Sequence, residues 1–221
     1  MVSVETQRLI LRRWRPSDRL PFARLNADPL VMEFMPAPLT REESDQLADR
    51  IEAHFREHEF GLWAAELLAD HSFIGFIGLA VPRFQARFTP CVEIGWRLAA
   101  EHWGQGLTTE GAREIVRCAF EELGLNELVS FTVPANQRSV RVMEKLGMTH
   151  DPADDFDHPN LPAGHPLRRH LLYRLSRQQW SQARATAFRA SSGWRMPLSR
   201  MGRRVWQRRK LKSLQVSEVL E

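Results

Sequence analysis

Hydrophobic positions recur along this chain at two spacings, and the switches between them mark out the elements. Residues 8–14 are rich in aliphatics and stop before Pro16, which predicts a strand. Pro16-Ser17-Asp18 then opens a helix through Phe22, Leu25 and Asn26, with Ser17 or Asp18 as its N-cap. Pro36 and Pro38 break the chain. Thr40 starts a second helix, with Glu43 at the capping-box position and Leu47, Ile51 and Phe55 at helical spacing. Residues 60–68 and 73–81 flank a turn at Asp70-His71-Ser72 and predict an antiparallel hairpin. A third strand follows over 91–98. Alternation sets Val92, Ile94, Trp96 and Leu98 on one face, and Glu93, Gly95 and Arg97 on the other. Gly95, inside the strand, predicts a bulge or a close backbone approach.

After Trp103 the period changes. Gly104-Gln105-Gly106 leads into Ala112, Ile115, Val116, Ala119, Phe120 and Leu123, an amphipathic helix closed by Gly124. Residues 128–133 form another strand, stopped by Pro134. A helix follows over 136–146, with Val140, Met143 and Leu146 on one stripe and Gly147 past its end. A Pro/Asp/His-rich loop covers 151–166, and 170–175 is the last strand. The order β-α-α-β-β-β-α-β-α-β predicts a mixed α/β layer fold without internal repeats.

Composition sharpens this picture in three ways. A chain of 221 residues suits one large domain, or one domain with an appendage, and its 43% hydrophobic content argues against disorder throughout. No apolar run approaches the roughly 20 residues that span a bilayer. Residues 1–13 lack a signal-peptide core, and the two cysteines, Cys91 and Cys118, lie far apart, so a reducing cytoplasm is the expected compartment. The formal charge of +4 hides an asymmetry: residues 181–221 carry 10 Lys and Arg against 2 Asp and Glu. The body is therefore acidic and the tail strongly basic.

The chemistry is concentrated in the strand, Gly-rich turn and helix around Gly104 and Gly106. Unpaired N–H groups and the macrodipole make a helix N-terminus a site for phosphate, and glycines allow close approach. The turn is not a Walker A loop, because no Gly-Lys-Ser/Thr follows. It lacks the third glycine of a dinucleotide fingerprint. Three blocks, VEIGWRL, WGQGLTTEGA and NQRSVRVMEKLGM, resemble in order and spacing the GNAT superfamily of acetyl-CoA-dependent N-acyltransferases. They are most similar to its RimJ/RimL-like ribosomal-protein N-acetyltransferase branch. The likeness runs from about residue 5 to 177. Trp103, Gly106 and Thr108 stand at the marked positions of the family signature, with Trp103 and Thr108 departing from its usual residues.

The resemblance implies a GNAT-like mixed central sheet with splayed strands flanked by helices, over residues 1–178; residues 179–221 lie beyond it and read from their own composition and spacing as a basic, partly helical extension. It implies acetyl-CoA as co-substrate, no metal, and an amine acceptor. By the same likeness the pantetheine arm lies along Trp96, Arg97 and Leu98. The pyrophosphate takes N–H groups from Gly104, Gln105, Gly106, Leu107, Thr108 and Thr109, beside Trp103. Asn136 contacts the pantetheine with Ser139 nearby. Glu93 is the candidate general base, against the alternative of an ordinary salt bridge. Ser139 or water is the candidate acid for the leaving thiolate, since the position where many relatives keep tyrosine is Met143 and the one tyrosine is Tyr173 on the last strand. A protein N-terminal α-amine is the expected acceptor. Small-molecule amines come next, and a non-catalytic acyl-CoA-binding module is a third class. An α-amine costs about 1.4 kcal/mol to deprotonate at pH 7 and a lysine about 4.6.

Two regions stay open at this stage. The 151–166 loop, with Asp151, Asp154, Asp155, Asp157, His158 and His165, reads as a solvated loop, an acidic lip for a cationic acceptor, or less readily a metal site. With 26–45 and 82–90 it is a candidate wall of the acceptor site. The tail interleaves Trp194, Met201, Val205, Trp206 and Leu211 with its arginines. It reads as a packed appendage or homodimer contact with a helix in 197–215 burying Trp206, as a disordered segment, or as a surface for RNA or the ribosome.

Overall fold

The structure, a computed structural model, describes residues 3–191. Its first half carries β1 (Ser3–Glu5), β2 (Leu9–Arg12), a 3-10 turn (Pro16–Asp18), α1 (Arg19–Ala27), α2 (Arg41–His58), β3 (Leu62–Leu67), β4 (Phe73–Ala80) and β5 (Glu93–Leu98). The second half carries α3 (Leu107–Glu121), β6 (Glu127–Thr132), α4 (Gln137–Lys145), β7 (Thr149–His150), β8 (Phe156–Asp157), β9 (Arg169–Ser176) and α5 (Arg177–Ser191). No helix among the described residues is long and apolar enough to cross a membrane.

The strands form a mixed sheet in the order β1-β2-β3-β4-β5-β6-β9-β7, with β8 on β9. Neighbours are antiparallel except β5 and β6, which are joined through α3 and run parallel. β5 pairs with β4 along its whole length, from Ala80↔Glu93 to Gly75↔Leu98. With β6 it shares one register position, Glu93↔Val129, closed by the Val129 N–H on the Val92 carbonyl at 3.0 Å. Beyond Glu93 the two strands part and leave a wedge.

The core holds the sheet against α3 on one face and α1 on the other. Ala112, Ile115 and Ala119 of α3 are fully buried. Gly111 lets α3 lie close to the sheet, since a Cβ there would sit 2.6 Å from Ile77 Cδ1. On the other face Phe22 of α1 packs edge-on to Trp14 and Phe76. Thr40 and Glu43 form the expected capping box on α2, with bonds of 3.2 and 2.8 Å.

Several expectations need correction. Asp18 is the N-cap of α1, as one of the two expected residues, but its side chain makes no capping bond. Asp18 instead accepts the Arg15 N–H at 2.7 Å and clasps the Arg12 guanidinium at 2.7 and 2.9 Å. Gly95 marks no bulge: its pairing with Gly78 continues an unbroken register, and the shift lies between Ala65 and Glu66. The short strands β1, β7 and β8 are too brief to leave a period in the sequence. α5 begins where the last strand ends and carries the chain into the basic extension. Trp180 packs at a tilt on Phe120 with centroids 5.3 Å apart, and Arg177 donates to the Leu125 carbonyl at 2.8 Å. The helix expected over 197–215, the burial of Trp206 and any tail surface for RNA lie outside the described residues.

Candidate active site

The wedge between β5 and β6 opens into a cavity of about 700 Å3, a size that accepts a cofactor-scale ligand. Every sequence-predicted site residue lines it except Gln105. Because β5 turns away from β6, its far edge is free to pair with an extended ligand, as in strand addition. One of its groups is already engaged: the Leu98 carbonyl accepts the Trp103 indole N–H at 2.8 Å. That bond anchors Trp103 and explains how a tryptophan serves at this position.

At the wide end the chain turns through Gly104 and Gly106 with φ of +73° and +79°, a conformation L side chains rarely adopt. Gly106 is the N-cap of α3, and the first helical bond runs from the Glu110 N–H to its carbonyl. The N–H groups of Leu107, Thr108 and Thr109 therefore have no helical partner. Arg8 fastens the turn from outside. Its side chain donates to the Gln105 carbonyl at 3.0 Å and to Glu110 at 2.7 Å, while Glu110 also accepts from Thr6 at 2.6 Å. His102, Arg138, Arg141 and Lys145 add basic side chains to the cavity lining, Arg138 also pairing with Glu33 at 2.5 Å. The Arg138 guanidinium lies over the Trp103 ring, 4.4 Å from its centroid.

At the apex sits Glu93. Its carboxyl has no ion-pair partner among the described residues and opens only onto the cavity, so burial pushes its pKa up to about 8. Gly95 follows on the same face. A Cβ there would meet nothing nearer than Glu93 Oε1 at 3.8 Å, so the space before the carboxyl is clear. Arg97 comes next on that face, beside its β4 neighbour Phe76. Asn136 caps α4 by accepting the Ser139 N–H at 3.2 Å and donates to Thr132 Oγ1 at 3.0 Å. Ser139 is half-buried on the cavity wall.

The comparisons with known proteins agree with this geometry. A sequence model described as an acetyltransferase (GNAT) domain matches residues 8–149. The FsC-acetyl coenzyme A-N(2)-transacetylase of Aspergillus fumigatus is 34% identical over 203 residues, covering 85% of each chain. The chain belongs to the GNAT acetyltransferase family. Among solved structures, an acetyltransferase from Agrobacterium tumefaciens superposes with a TM-score of 0.64 at 27% identity, covering 79% of this chain and 94% of its own. Mycobacterium smegmatis RimJ in complex with CoA-disulfide shares the fold, with a TM-score of 0.64 at 18% identity, over 86% of this chain and 94% of its own.

As a GNAT acetyltransferase the chain is an acyltransferase that uses acetyl-CoA, and the cavity fits that co-substrate. It joins an exposed strand edge to a cationic helix N-terminus. Tyr173 does not line the cavity and stacks on His150, centroids 5.0 Å apart. Met143 is fully buried in the core. None of the four aspartates of 151–166 lines the cavity. Asp154 pairs with Arg174 at 2.6 Å, Asp155 with His150 at 2.7 Å, and Asp157 with Arg168 at 3.4 Å. From that loop the cavity takes His158, Asn160 and Leu161 instead. Sequence reading missed Arg8, Glu110, Arg138, Arg141 and Lys145. The last three share one face of α4 at helical spacing, a signal that was available.

Proposed function

We propose that this acetyltransferase acetylates an α-amine by direct attack, with a protein N-terminus as the acceptor class. The observation that supports it is Glu93 at the apex of the split strands, in one cavity with the unpaired N-terminus of α3. Bound acetyl-CoA supplies the acetyl group, activated as a thioester. The backbone edge at Trp96 and Arg97 orients the pantetheine arm. The N–H groups of Leu107, Thr108 and Thr109, with Arg138, Arg141 and Lys145, hold its phosphates. Glu93 takes the proton of the acceptor ammonium. A base near pKa 8 is matched to an α-ammonium near the same value, and poorly matched to a lysine about two units higher. Ser139 or water returns a proton to the thiolate.

A second reading is an acceptor that is a small-molecule amine. It is favoured by the 34% identical relative, named as a transacetylase acting at an N(2) position. The test is thiol release from acetyl-CoA with a panel of peptide α-amines, lysine side chains and small amines. Turnover is expected with α-amines, and Glu93→Gln should lower it about 10²–10⁴-fold while acetyl-CoA affinity holds. Full turnover in Glu93→Gln, or acetylation of lysine alone, overturns the assignment.

A further inference from the structure

We propose that the Arg97 guanidinium binds a carboxylate of the acceptor, so that the preferred substrate is an amine carrying an acidic group about three residues' length away. The inference rests on Glu93 as the group that receives the amine. It deepens that reading by naming what the acceptor must carry at its other end.

The argument starts from a cation without a counterion. Among the described residues, Arg12 is buried and Arg97 is half-buried in the cavity wall, and their surroundings treat them oppositely. Arg12 is held by two carboxylates, Asp18 at 2.7 Å and Glu66 at 2.6 Å. Arg97 makes no ion pair among the described residues. Its Nη1 donates to the Asn26 side-chain carbonyl at 2.6 Å, and Nη2 reaches only the Met35 sulfur at 3.4 Å. Its guanidinium stands over the Phe76 ring, 5.5 Å from the centroid. A guanidinium has five N–H donors, so at least three remain open. Burying such a charge without a partner is costly, and burial pushes its pKa down to about 10.

The group is also aimed. Asn26 is fully buried and its amide donates to Ser44 Oγ at 2.9 Å, so a chain of bonds from α2 through α1 fixes the guanidinium at the cavity wall. Arg97 does not face the phosphate turn. Its β4 partner Phe76 packs on Phe22 of α1, whereas the neighbouring pair Ile77 and Trp96 is on the α3 side, where Ile77 meets Gly111. Met35, from the segment after α1, meets the guanidinium, and Val31 and Phe34 of the same segment also line the cavity.

Spacing gives the ligand's length. Glu93 and Arg97 share a strand face four residues apart, which sets their Cα atoms about 13 Å apart at roughly 3.3 Å per residue. Gly95 leaves the ground between them open. The amine and carboxylate of a single α-amino acid are too close to reach both groups. An extended tripeptide, at about 3.3–3.6 Å per residue, spans them. The carboxylate can belong to an acidic side chain near a protein N-terminus or to the end of a short peptide-like molecule. The chemistry is the same.

The experiment compares paired acceptors in steady-state turnover and in calorimetric binding to the full chain with CoA present. One pair is Ala-Ala-Ala as the free acid and as the amide. The other is an amidated hexapeptide with Glu or Gln at its third residue. We expect the wild type to prefer the acidic member of at least one pair by about 10–100-fold, the range of a charge-assisted bond, through KM rather than kcat. The pair that responds identifies the source of the carboxylate. Arg97→Gln should bring the ratio close to one, Arg97→Lys should restore part of it, and acetyl-CoA affinity should hold in both. No preference in the wild type, by turnover or by binding, overturns the proposal. So does an equal loss for acidic and neutral members in both variants, which makes Arg97 structural, or a loss confined to acetyl-CoA affinity. Because the binding ratio does not require Glu93, measuring it in Glu93→Gln separates failure of the base from failure of the carboxylate site.

Discussion

Glu66 is buried and Glu93 half-buried against the cavity, and their surroundings give them opposite characters. Glu93 has no cationic partner, and desolvation alone lifts its pKa to about 8. Its linkage sign follows. Between the unfolded value, about 4.3, and the folded one, the native state keeps a proton the unfolded chain has lost. Stability from this group therefore falls as pH rises across that window. Glu93→Gln should be as stable as the wild type near pH 4 and more stable at pH 8, even as it loses turnover. Urea midpoints at pH 4, 6 and 8 check this, and a constant offset would show that Glu93 is an ordinary structural carboxylate. The position of Glu93 was legible in the sequence, because it precedes the Gly-rich turn by a fixed spacing on an alternating strand. Its isolation was not, since it depends on β6 leaving β5 after one paired residue.

At the scale of elements, the turn from β5 to α3 has the left-handed glycines and the free helix N-terminus that a phosphate cradle asks for. A Cβ on Gly106 would meet nothing nearer than Arg8 Nη2 at 3.7 Å, so space is not what selects glycine in the free protein. The left-handed backbone is. Gly106→Val forces a β-branched residue to φ near +79° or makes the turn rearrange, costing about 1–3 kcal/mol. We expect a folded protein with a lowered melting point and an acetyl-CoA affinity reduced at least tenfold by calorimetry. Unchanged affinity would remove this turn from the coenzyme site. The Arg8 and Glu110 clasp behind it was invisible in the sequence, because the two residues lie about a hundred positions apart. The Gly95 bulge was inferred from a rule about strand glycines. The role found here is to leave room before Glu93, which a one-dimensional pattern cannot distinguish from a bulge.

The whole molecule depends on a network that no motif announced. Arg12 on β2, Asp18 ahead of α1 and Glu66 on β3 are buried together, and Arg15 and His71 reach Glu66 at 3.0 and 2.9 Å. The network ties the start of α1 to β2 and β3, and α1 also carries Asn26, the partner of Arg97. Burial alone would raise the Glu66 pKa, but hydrogen bonds from Arg12 and His71 and the nearby guanidinium charges outweigh it and hold it below the usual range. Its contribution is thus present above the unfolded pKa, near 4.3, and lost as pH falls through the lower folded value. Glu66→Gln leaves Arg12 short of one counterion and should cost about 3–5 kcal/mol at pH 7. That deficit should shrink steadily below pH 4, where the wild type also loses the charge. Chemical denaturation of both proteins from pH 2.5 to 7 measures it, and a deficit independent of pH would mean that shape rather than charge holds the network. Glu66 makes stability climb out of acid and Glu93 makes it decline towards pH 8. Their two contributions therefore place the stability maximum between those limits, and the pH at which Glu93 becomes a competent base lies on the declining side.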